Sequence, residues 1–353
     1  MAAIVVAMLV VVVRWAPAVI ITAVLAKPTL EPWAAPWLGD VSREDIVIPL
    51  PTKSLAADLY RPAGRTPRAV LILAHGLSRE GRRQPDLVRL ARLLGQRGLA
   101  VVVPQLDGFA AFRLDGREVE EIGAVIAHAQ RYAPAVGIAG FSFGAGPTLL
   151  AAANRRDIAL VGSFGGYADL ADVVVFITTG AHTFAGTRYM ERSEPYNRWK
   201  LAALLVPFVQ DVDDRARVAR IVEAKLHDPG VDIPDEARLG AGGRAVLSLI
   251  RSRDEADARR RLADLPADAR AALARLSPLP AVPKIRGRLV IAHGASDPSI
   301  PFTESLRLAE AAGGRTRAVI LGGFHHTGAA DFSRAIVDGW RLVEVVDAVI
   351  GLR

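Results

Sequence analysis

The segment from residue 135 to residue 153 constrains the fold more than any other part of this sequence. An apolar run from Ala135 to Ala139 predicts a buried strand, and the residues from Gly144 onward predict a helix. The turn between them reads Gly140-Phe-Ser-Phe-Gly144. In a strand–turn–helix setting, Gly-x-Ser-x-Gly strains the serine backbone and pushes the hydroxyl of Ser142 out of the sheet edge. We expect glycine on both sides of the serine because the strand and the helix crowd together there.

Predicted strands alternate with predicted helices on both sides of this segment. A hairpin comes first, and crossover helices then separate short apolar runs of the kind that are buried on both faces. The predicted strands cover residues 45–49, 55–60, 69–74, 100–103, 135–139, 158–162, 288–292 and 317–321, and the predicted helices include residues 86–97, 119–129, 302–311 and 332–350. This order predicts an α/β fold with a mostly parallel sheet covered on both faces.

The alternation stops between residues 169 and 284. This stretch shows several helical patterns and no convincing buried strand, and the sheet resumes after it. We therefore expect a helical insertion that caps the carboxyl edge of the sheet, with residues 45–168 and 285–353 forming the two parts of the core. The alternative is an independent helical domain beside the sheet.

The first 27 residues are almost entirely apolar, interrupted by Arg14. Their length suits a membrane anchor, although an arginine near the middle of a span costs about 2.5–3.5 kcal/mol. A cleaved signal peptide ending near Ala26 and a helix buried in the protein core are the alternatives. Trp33 and Trp37, in a linker covering residues 28–44, favour a position at a membrane surface. The sequence thus predicts a membrane-anchored or exported protein.

Composition excludes several classes of function. The chain has 44 basic and 37 acidic residues, a net charge of +7, but its arginines are interspersed with acids and form no basic stripe. We therefore expect no nucleic-acid partner. The absence of cysteine excludes disulfides, thiolate metal sites and a cysteine nucleophile. No motif indicates a metal, a nucleotide or another cofactor.

Three further residues that could take part in chemistry follow the last two predicted strands. Asp297 comes just after the strand at 288–292, in a turn stiffened by Pro298 and Pro301. An aspartate there could also cap the following helix or form an Asx turn. His325 and His326 come just after the final strand. With Ser142, these residues follow the ends of predicted strands, and open α/β sheets bind ligands at that edge.

The order serine, aspartate, histidine at successive strand ends resembles the α/β-hydrolase fold, from about residue 45 to the end apart from the insertion. The likeness is to its dienelactone-hydrolase and serine-esterase or peptidase-like branches. It implies that Ser142 is a nucleophile, that Asp297 orients a histidine, and that the histidine is the general base. Family members often have an aromatic residue two positions before that histidine, so Phe324 favours His326, with His325 as the alternate.

The same resemblance implies an oxyanion hole made by the backbone amides of Phe143 and Leu77. The other two histidines near strand ends, His75 and His293, are expected to be structural. Aromatic side chains that could line a pocket, or simply pack, are Phe143, Phe164, Tyr167, Phe176 and Phe184.

The implied activity is hydrolysis of a small-molecule carboxylic ester or related acyl compound through an acyl-enzyme intermediate, without a cofactor. A serine peptidase of the same fold and a catalytically silent, membrane-tethered binding module are the alternatives. A dehalogenase is disfavoured because that chemistry places an aspartate at position 142. The sequence does not predict an oligomeric state.

Overall fold

The structure is a computed structural model that describes residues 2–232, 234–322 and 335–353. Within these residues, eight strands form one sheet in the order β1-β2-β4-β3-β5-β6-β9-β10, and β7 and β8 form a separate hairpin. The strands are β1 (Val41–Pro49), β2 (Ser54–Pro62), β3 (Ala69–Ala74), β4 (Leu99–Pro104), β5 (Val136–Phe141), β6 (Ile158–Phe164), β7 (Ala181–Phe184), β8 (Thr187–Met190), β9 (Arg288–Gly294) and β10 (Thr316–Leu321).

The sheet is parallel from β4 to β10, and the hairpin β1–β2 adds two antiparallel strands at one edge. This confirms the predicted mostly parallel sheet and the predicted hairpin, although β1 begins at Val41, inside the region expected to be a linker. Every residue of β3 is buried, as a strand covered on both faces requires.

Helices cover the two faces of the sheet because side chains alternate along each strand. In β3, Val70 and Ile72 pack in the hydrophobic cluster on one face of the sheet, and Leu71 and Leu73 pack in the cluster on the other face. The α-helices are α1 (Ala2–Ala26), α2 (Glu31–Ala34), α3 (Pro85–Gln96), α4 (Asp107–Ala110), α5 (Arg117–Ala129), α6 (Ala145–Ala153), α7 (Leu170–Thr179), α8 (Pro195–Leu205), α9 (Val212–His227), α10 (Ala241–Arg251), α11 (Glu255–Ala263), α12 (Ala267–Leu276), α13 (Phe302–Ala312) and α14 (Ala335–Ile350).

Short 3₁₀ turns connect many of these elements. They cover Pro28–Leu30, Ala35–Trp37, Gly81–Arg83, Ser142–Gly144, Val206–Phe208, Pro234–Arg238, Leu279–Lys284 and Gly313–Arg315. The turn at Ser142–Gly144 is the one that joins β5 to α6, so it lies at the carboxyl edge of the sheet.

The N-terminal helix packs against the protein. Arg14 pairs with Asp347 of α14 (Nη2 to Oδ2 2.7 Å), and the ring of Trp15 lies 4.9 Å from that of Trp340. Further along the helix, Ala18, Ile21 and Val24 recur every three residues and are buried in the cluster with α3 and α14.

In the part of the chain that the structure describes, no helix is long and apolar enough to cross a membrane. The predicted membrane anchor over residues 1–27 is therefore not supported. Residues 14–26 instead correspond to the third alternative, a helix packed on the core. Lipid and a protein core select the same apolar side chains, so the apolar pattern alone does not distinguish the two environments.

The stretch between β6 and β9 contains helices α7 to α12 and the hairpin β7–β8. The sequence predicted only helices here, and the hairpin is the difference. His182 of β7 is buried between Phe176 of α7 and Phe302 of α13 (ring centroids 5.4 and 5.3 Å away) and stacks on Tyr189 of β8. The hairpin is therefore held by contacts outside itself, which a local pattern does not contain.

Candidate active site

Ser142 lies in a sharp turn between β5 and α6. Its φ is 51°, in the left-handed region that non-glycine residues rarely adopt, and its side chain is partly exposed. A serine held in this conformation at the end of a buried strand projects its hydroxyl beyond the sheet edge. The strand, turn and helix therefore have the arrangement that the sequence motif predicted.

The glycines around Ser142 are required by close packing. A Cβ on Gly140 would lie 2.5 Å from the Cα of Ala145, and one on Gly144 would lie 2.3 Å from the carbonyl oxygen of His75. The turn is also fixed by Thr148, whose hydroxyl donates to the Gly144 carbonyl at 2.8 Å. These contacts press the start of α6 against β5 and against the loop that follows β3.

The loop after β3 runs directly beside Ser142. A Cβ on Gly76 would lie 2.9 Å from the Cβ of Ser142, so only glycine permits this approach. His75 holds the loop from the other side: its Nε2 accepts from the Leu106 amide at 3.0 Å, and its Nδ1 lies 2.8 Å from the Gly76 carbonyl oxygen. Since Nε2 accepts a hydrogen bond, Nδ1 carries the proton and donates to that carbonyl.

This hydrogen bond fixes the direction of the next amide. The carbonyl of Gly76 and the N–H of Leu77 belong to one trans peptide plane and point in opposite directions. With the carbonyl held by His75, the Leu77 N–H points away from that ring. Burial lowers the pKa of His75 to about 4, so the ring is neutral near pH 7 and keeps this pattern of one donor and one acceptor.

An ion-pair cluster anchors the continuation of the same loop. The buried carboxylate of Asp58 in β2 contacts Arg82 Nη1 at 3.3 Å and Arg83 Nε at 3.2 Å, and Arg43 of β1 at 3.0 Å. A buried carboxylate surrounded by guanidinium groups is strongly destabilised when its partners are removed. The cluster therefore ties the loop to the edge hairpin of the sheet.

Asp297 is buried in the turn after β9. Its Oδ1 accepts from the amides of Ser299 at 2.8 Å and Ile300 at 3.1 Å, and its Oδ2 lies 3.4 Å from His293 Nε2. The two amide bonds form the Asx-type turn that the sequence suggested as an alternative role. They occupy one carboxylate oxygen, and the second oxygen lies beside Gly165, where an added Cβ would be 3.5 Å away.

His293 is not available as a base in this arrangement. Its Nδ1 lies 2.6 Å from Ser305 Oγ, and its Nε2 lies 2.9 Å from the carbonyl oxygen of Ile300. A carbonyl oxygen only accepts, so Nε2 carries a proton and donates to Ile300, while Nδ1 is hydrogen-bonded to the Ser305 hydroxyl. Both nitrogens are thus engaged, which agrees with the structural role expected for this histidine.

The carboxyl ends of β5 and β9 bring Ser142 and Asp297 to one edge of the sheet. In the sheet register, Phe141 is opposite Phe164, and Phe164 is opposite Ala292. At the next strand, Leu321 is opposite Gly294, and its carbonyl accepts from the Ala295 amide at 2.8 Å. Ser142 and the Asp297 turn thus follow β5 and β9, with β6 between them. His325 and His326 lie outside the described residues, so the choice between them stays a prediction.

The aromatic residues suggested as pocket-lining are divided between packing and partial exposure. Tyr167 and Phe176 are fully buried, and the Tyr167 hydroxyl donates to the Leu276 carbonyl at 3.2 Å. Phe143 is buried against Tyr167, whereas Phe164 and Phe184 are partly exposed. Among the described residues, no group of three or more His, Cys, Asp or Glu side chains could hold a metal ion.

Two residues at this edge escaped the sequence analysis. Asn197 of α8 is buried against the Asp297 turn, donating from Nδ2 to the Pro298 carbonyl and to Ser299 Oγ, each at 3.0 Å. Glu304 of α13 is fully buried and accepts from the amides of Ala168 (2.9 Å) and Asp169 (2.7 Å), where the insertion begins. Each is one polar residue among several in its helix, and it belongs to no motif that could have identified it.

No protein-family model matches this chain, and no curated protein matches it. Solved structures do. An acylaminoacyl peptidase of Pyrococcus horikoshii matches 91% of this chain and 42% of its own, with a TM-score of 0.51 and 13% identity. Est1E of Butyrivibrio proteoclasticus matches 86% of this chain and 96% of its own, with a TM-score of 0.50 and 18% identity.

A third solved structure, the α/β hydrolase GrgF from Penicillium sp. sh18, is covered over its whole length. It matches 88% of this chain with a TM-score of 0.52 and 15% identity. At these identities the likeness concerns the fold. The chain has the α/β-hydrolase fold with a mostly parallel central sheet, which confirms the resemblance seen in the sequence.

Proposed function

We propose that this chain is a serine hydrolase that cleaves carboxylic esters or related acyl compounds, with Ser142 as its nucleophile. The observation that carries the proposal is the strained backbone of Ser142, with a φ of 51°, at a strand–helix turn directly beside the loop after β3. Strained conformations persist where the surrounding structure enforces them, and they concentrate at functional sites.

Two backbone amides are the proposed oxyanion donors. The Phe143 N–H lies at the start of the turn leading into α6, where amides lack partners within the helix and the helix dipole favours negative charge. The Leu77 N–H is the second donor, because its peptide is turned by the hydrogen bond from His75 to the Gly76 carbonyl. Donors held in advance toward a developing negative charge lower the barrier without reorganising during the reaction.

Asp297 is the proposed acid of the triad, and a histidine after β10 is the proposed base. His325 and His326 follow the end of β10 at Leu321 by four and five residues, and an extended chain of that length reaches about 13–18 Å. The space between Ser142 and Asp297 is about two strand spacings from β10, or about 10 Å. The chain after Leu321 is therefore long enough for either histidine to reach this space. The aromatic residue Phe324 favours His326.

In the proposed reaction the Ser142 oxygen attacks the acyl carbon while the histidine takes the serine proton. The tetrahedral oxyanion receives the two amide hydrogen bonds and collapses to an acyl-serine, and the histidine returns its proton to the departing alcohol. Water, deprotonated by the same histidine, then releases the acid. Asp297 holds the imidazole and stabilises its charged form.

The direct test is hydrolysis of p-nitrophenyl esters of increasing acyl length. We expect steady turnover by the wild-type protein and a loss of at least about a thousandfold in kcat for Ser142→Ala. His326→Ala should be inactive and His325→Ala active, and the reverse result would exchange their roles. Aminoacyl p-nitroanilides in the same assay separate an esterase from a peptidase. Absence of Ser142-dependent turnover with either substrate class would contradict the proposal.

A further inference from the structure

The turn that carries Asp297 is bonded to the insertion as well as to the sheet. Asn197 lies in α8, is only 3% exposed, and directs its amide nitrogen at residues 298 and 299. Both of its hydrogen bonds, to the Pro298 carbonyl and to Ser299 Oγ, measure 3.0 Å. About a hundred residues separate these partners in the chain, so the contact exists only because the insertion folds back over the sheet edge.

Asn197 and Asp297 bind opposite ends of one peptide group. The carbonyl of Pro298 and the N–H of Ser299 belong to the same planar unit and point in opposite directions. Asn197 donates to the carbonyl end, and the N–H end donates to Asp297 Oδ1 at 2.8 Å. A donor on the carbonyl polarises the peptide and strengthens the bond that its N–H makes, because hydrogen bonds in a chain reinforce one another.

The result is a fixed orientation of the carboxylate. With Oδ1 held by the Ser299 and Ile300 amides, Oδ2 is directed toward His293 and Gly165. Other contacts from the insertion hold the helix after the turn: His182 Nδ1 lies 3.1 Å from Thr303 Oγ1, and Arg307 donates to the Thr183 carbonyl at 2.8 Å. Asn197 is closer to Asp297 than these contacts are, because it bonds the peptide group whose N–H binds the carboxylate.

We propose that Asn197 is a positioning residue for the candidate triad acid, so that the insertion takes part in catalysis by orienting Asp297. This inference rests on the proposed function. An insertion that only covers the substrate would need no hydrogen bond to the turn behind the acid. If α8 moved away from the sheet, the peptide at 298–299 would lose its donor and Asp297 would lose its fixed orientation.

The test measures kcat and KM for a p-nitrophenyl ester and the rate of fluorophosphonate labelling of Ser142. Asn197→Ala should lower kcat and the labelling rate by about two- to tenfold, the range for one buried hydrogen bond, with KM unchanged. Ser193→Ala is the matched control, because its hydroxyl bonds the Ile177 carbonyl (2.6 Å) and does not reach the Asp297 turn. It should leave both rates at the wild-type value.

A double-mutant cycle distinguishes positioning from general support of the fold. In an Asp297→Asn background the carboxylate is already lost, so adding Asn197→Ala should change the labelling rate by less than about twofold. The same loss in both backgrounds, or wild-type rates for Asn197→Ala alone, would overturn the inference.

Melting temperatures of all variants are measured alongside the rates. Should Asn197→Ala fail to fold, Asn197→Leu replaces it, since leucine keeps the branched shape of the side chain but has no hydrogen-bond donor, with the same expected result. If the wild-type protein shows no Ser142-dependent labelling, the proposed function fails and this inference fails with it. If labelling depends on Ser142 but is unchanged by substitution of Asn197, the inference is wrong and the proposed function is not affected.

Discussion

The backbone of Ser142 shows how single residues create the candidate site. A non-glycine residue in the left-handed region costs about 1–3 kcal/mol and persists only if its neighbours enforce it. Gly140, Gly144 and Gly76 supply that enforcement, because the space that a side chain would need at each is filled by other atoms. The serine is thus strained because the glycines allow β5, α6 and the loop after β3 to meet closely.

Replacing Gly144 tests this packing. In Gly144→Ala the new methyl group would lie 2.3 Å from the His75 carbonyl oxygen, and we expect a loss of about 1–3 kcal/mol in the free energy of unfolding. Gly123→Ala is the control, because no atom lies within 4 Å of its added Cβ and alanine is preferred within a helix such as α5. That variant should gain about 0.8–1.0 kcal/mol. Urea unfolding measures both, and equal stabilities would contradict the packing.

Among single residues, the sequence identified those that belong to a motif or lie at the end of a strand. Gly-x-Ser-x-Gly identified the turn at Ser142, and Asp297 was noticed because it follows a buried strand. Asn197 could not be found in this way, because its meaning depends on partners about a hundred residues away. The sequence suggested a structural role for His75, but the orientation that His75 gives the Leu77 peptide follows only from its hydrogen bonds to Leu106 and Gly76.

At the scale of elements, the strands were the most predictable part of the chain. Strands such as β3 and β5 are buried on both faces, so each appears in the sequence as a short apolar run with clear ends. Helix α1 was harder, because its apolar residues would suit lipid or protein equally well. The hairpin β7–β8 was missed because its strands have four residues each, and its burial depends on α7 and α13.

Substitutions in α1 test whether this helix is part of the packed core. Ile21 is completely buried, so Ile21→Ala should reduce the free energy of unfolding by about 2–5 kcal/mol. Val19 lies on the same helix but is 42% exposed, and Val19→Ala should change it by less than about 0.5 kcal/mol. Chemical denaturation of the full chain provides the measurement. Equal, small effects would show that α1 is not packed as described.

For the molecule as a whole, buried histidines and a buried glutamate make opposite contributions to the pH dependence of the free energy of unfolding. Burial lowers the pKa of His75 and of His182 to about 4, and burial raises the pKa of Glu304 to about 7. From about pH 4 to 6.5 the unfolded chain binds more protons at the histidines, so their contribution to stability increases with pH. At Glu304 the folded state binds more protons from about pH 4.5 to 7, so its contribution decreases.

Glu304→Gln should therefore change the pH dependence of stability. Relative to wild type, the variant should gain stability as pH rises from about 4.5 to 7, by up to about 3 kcal/mol, and the difference should then level off. An amide oxygen still accepts from the Ala168 and Asp169 amides. The measurement is the melting temperature or urea midpoint across this range.

Glu310→Gln is the control for that experiment, because Glu310 lies on the same helix α13 but is exposed to solvent. Its stability should follow the wild-type curve throughout. A Glu304→Gln curve parallel to wild type between pH 4.5 and 7 would show that this carboxyl is ionised normally and that the junction between insertion and sheet is not sensitive to its charge.

We propose that one serine, placed by the turn after β5, is activated for nucleophilic attack. The most direct measurement is intact and peptide mass spectrometry after treatment with a fluorophosphonate. We predict a single adduct located on Ser142, absent from Ser142→Ala, and formed at least about a hundredfold more slowly in Asp297→Ala. An unmodified protein, or an adduct on another residue that persists in Ser142→Ala, would contradict the role proposed for Ser142.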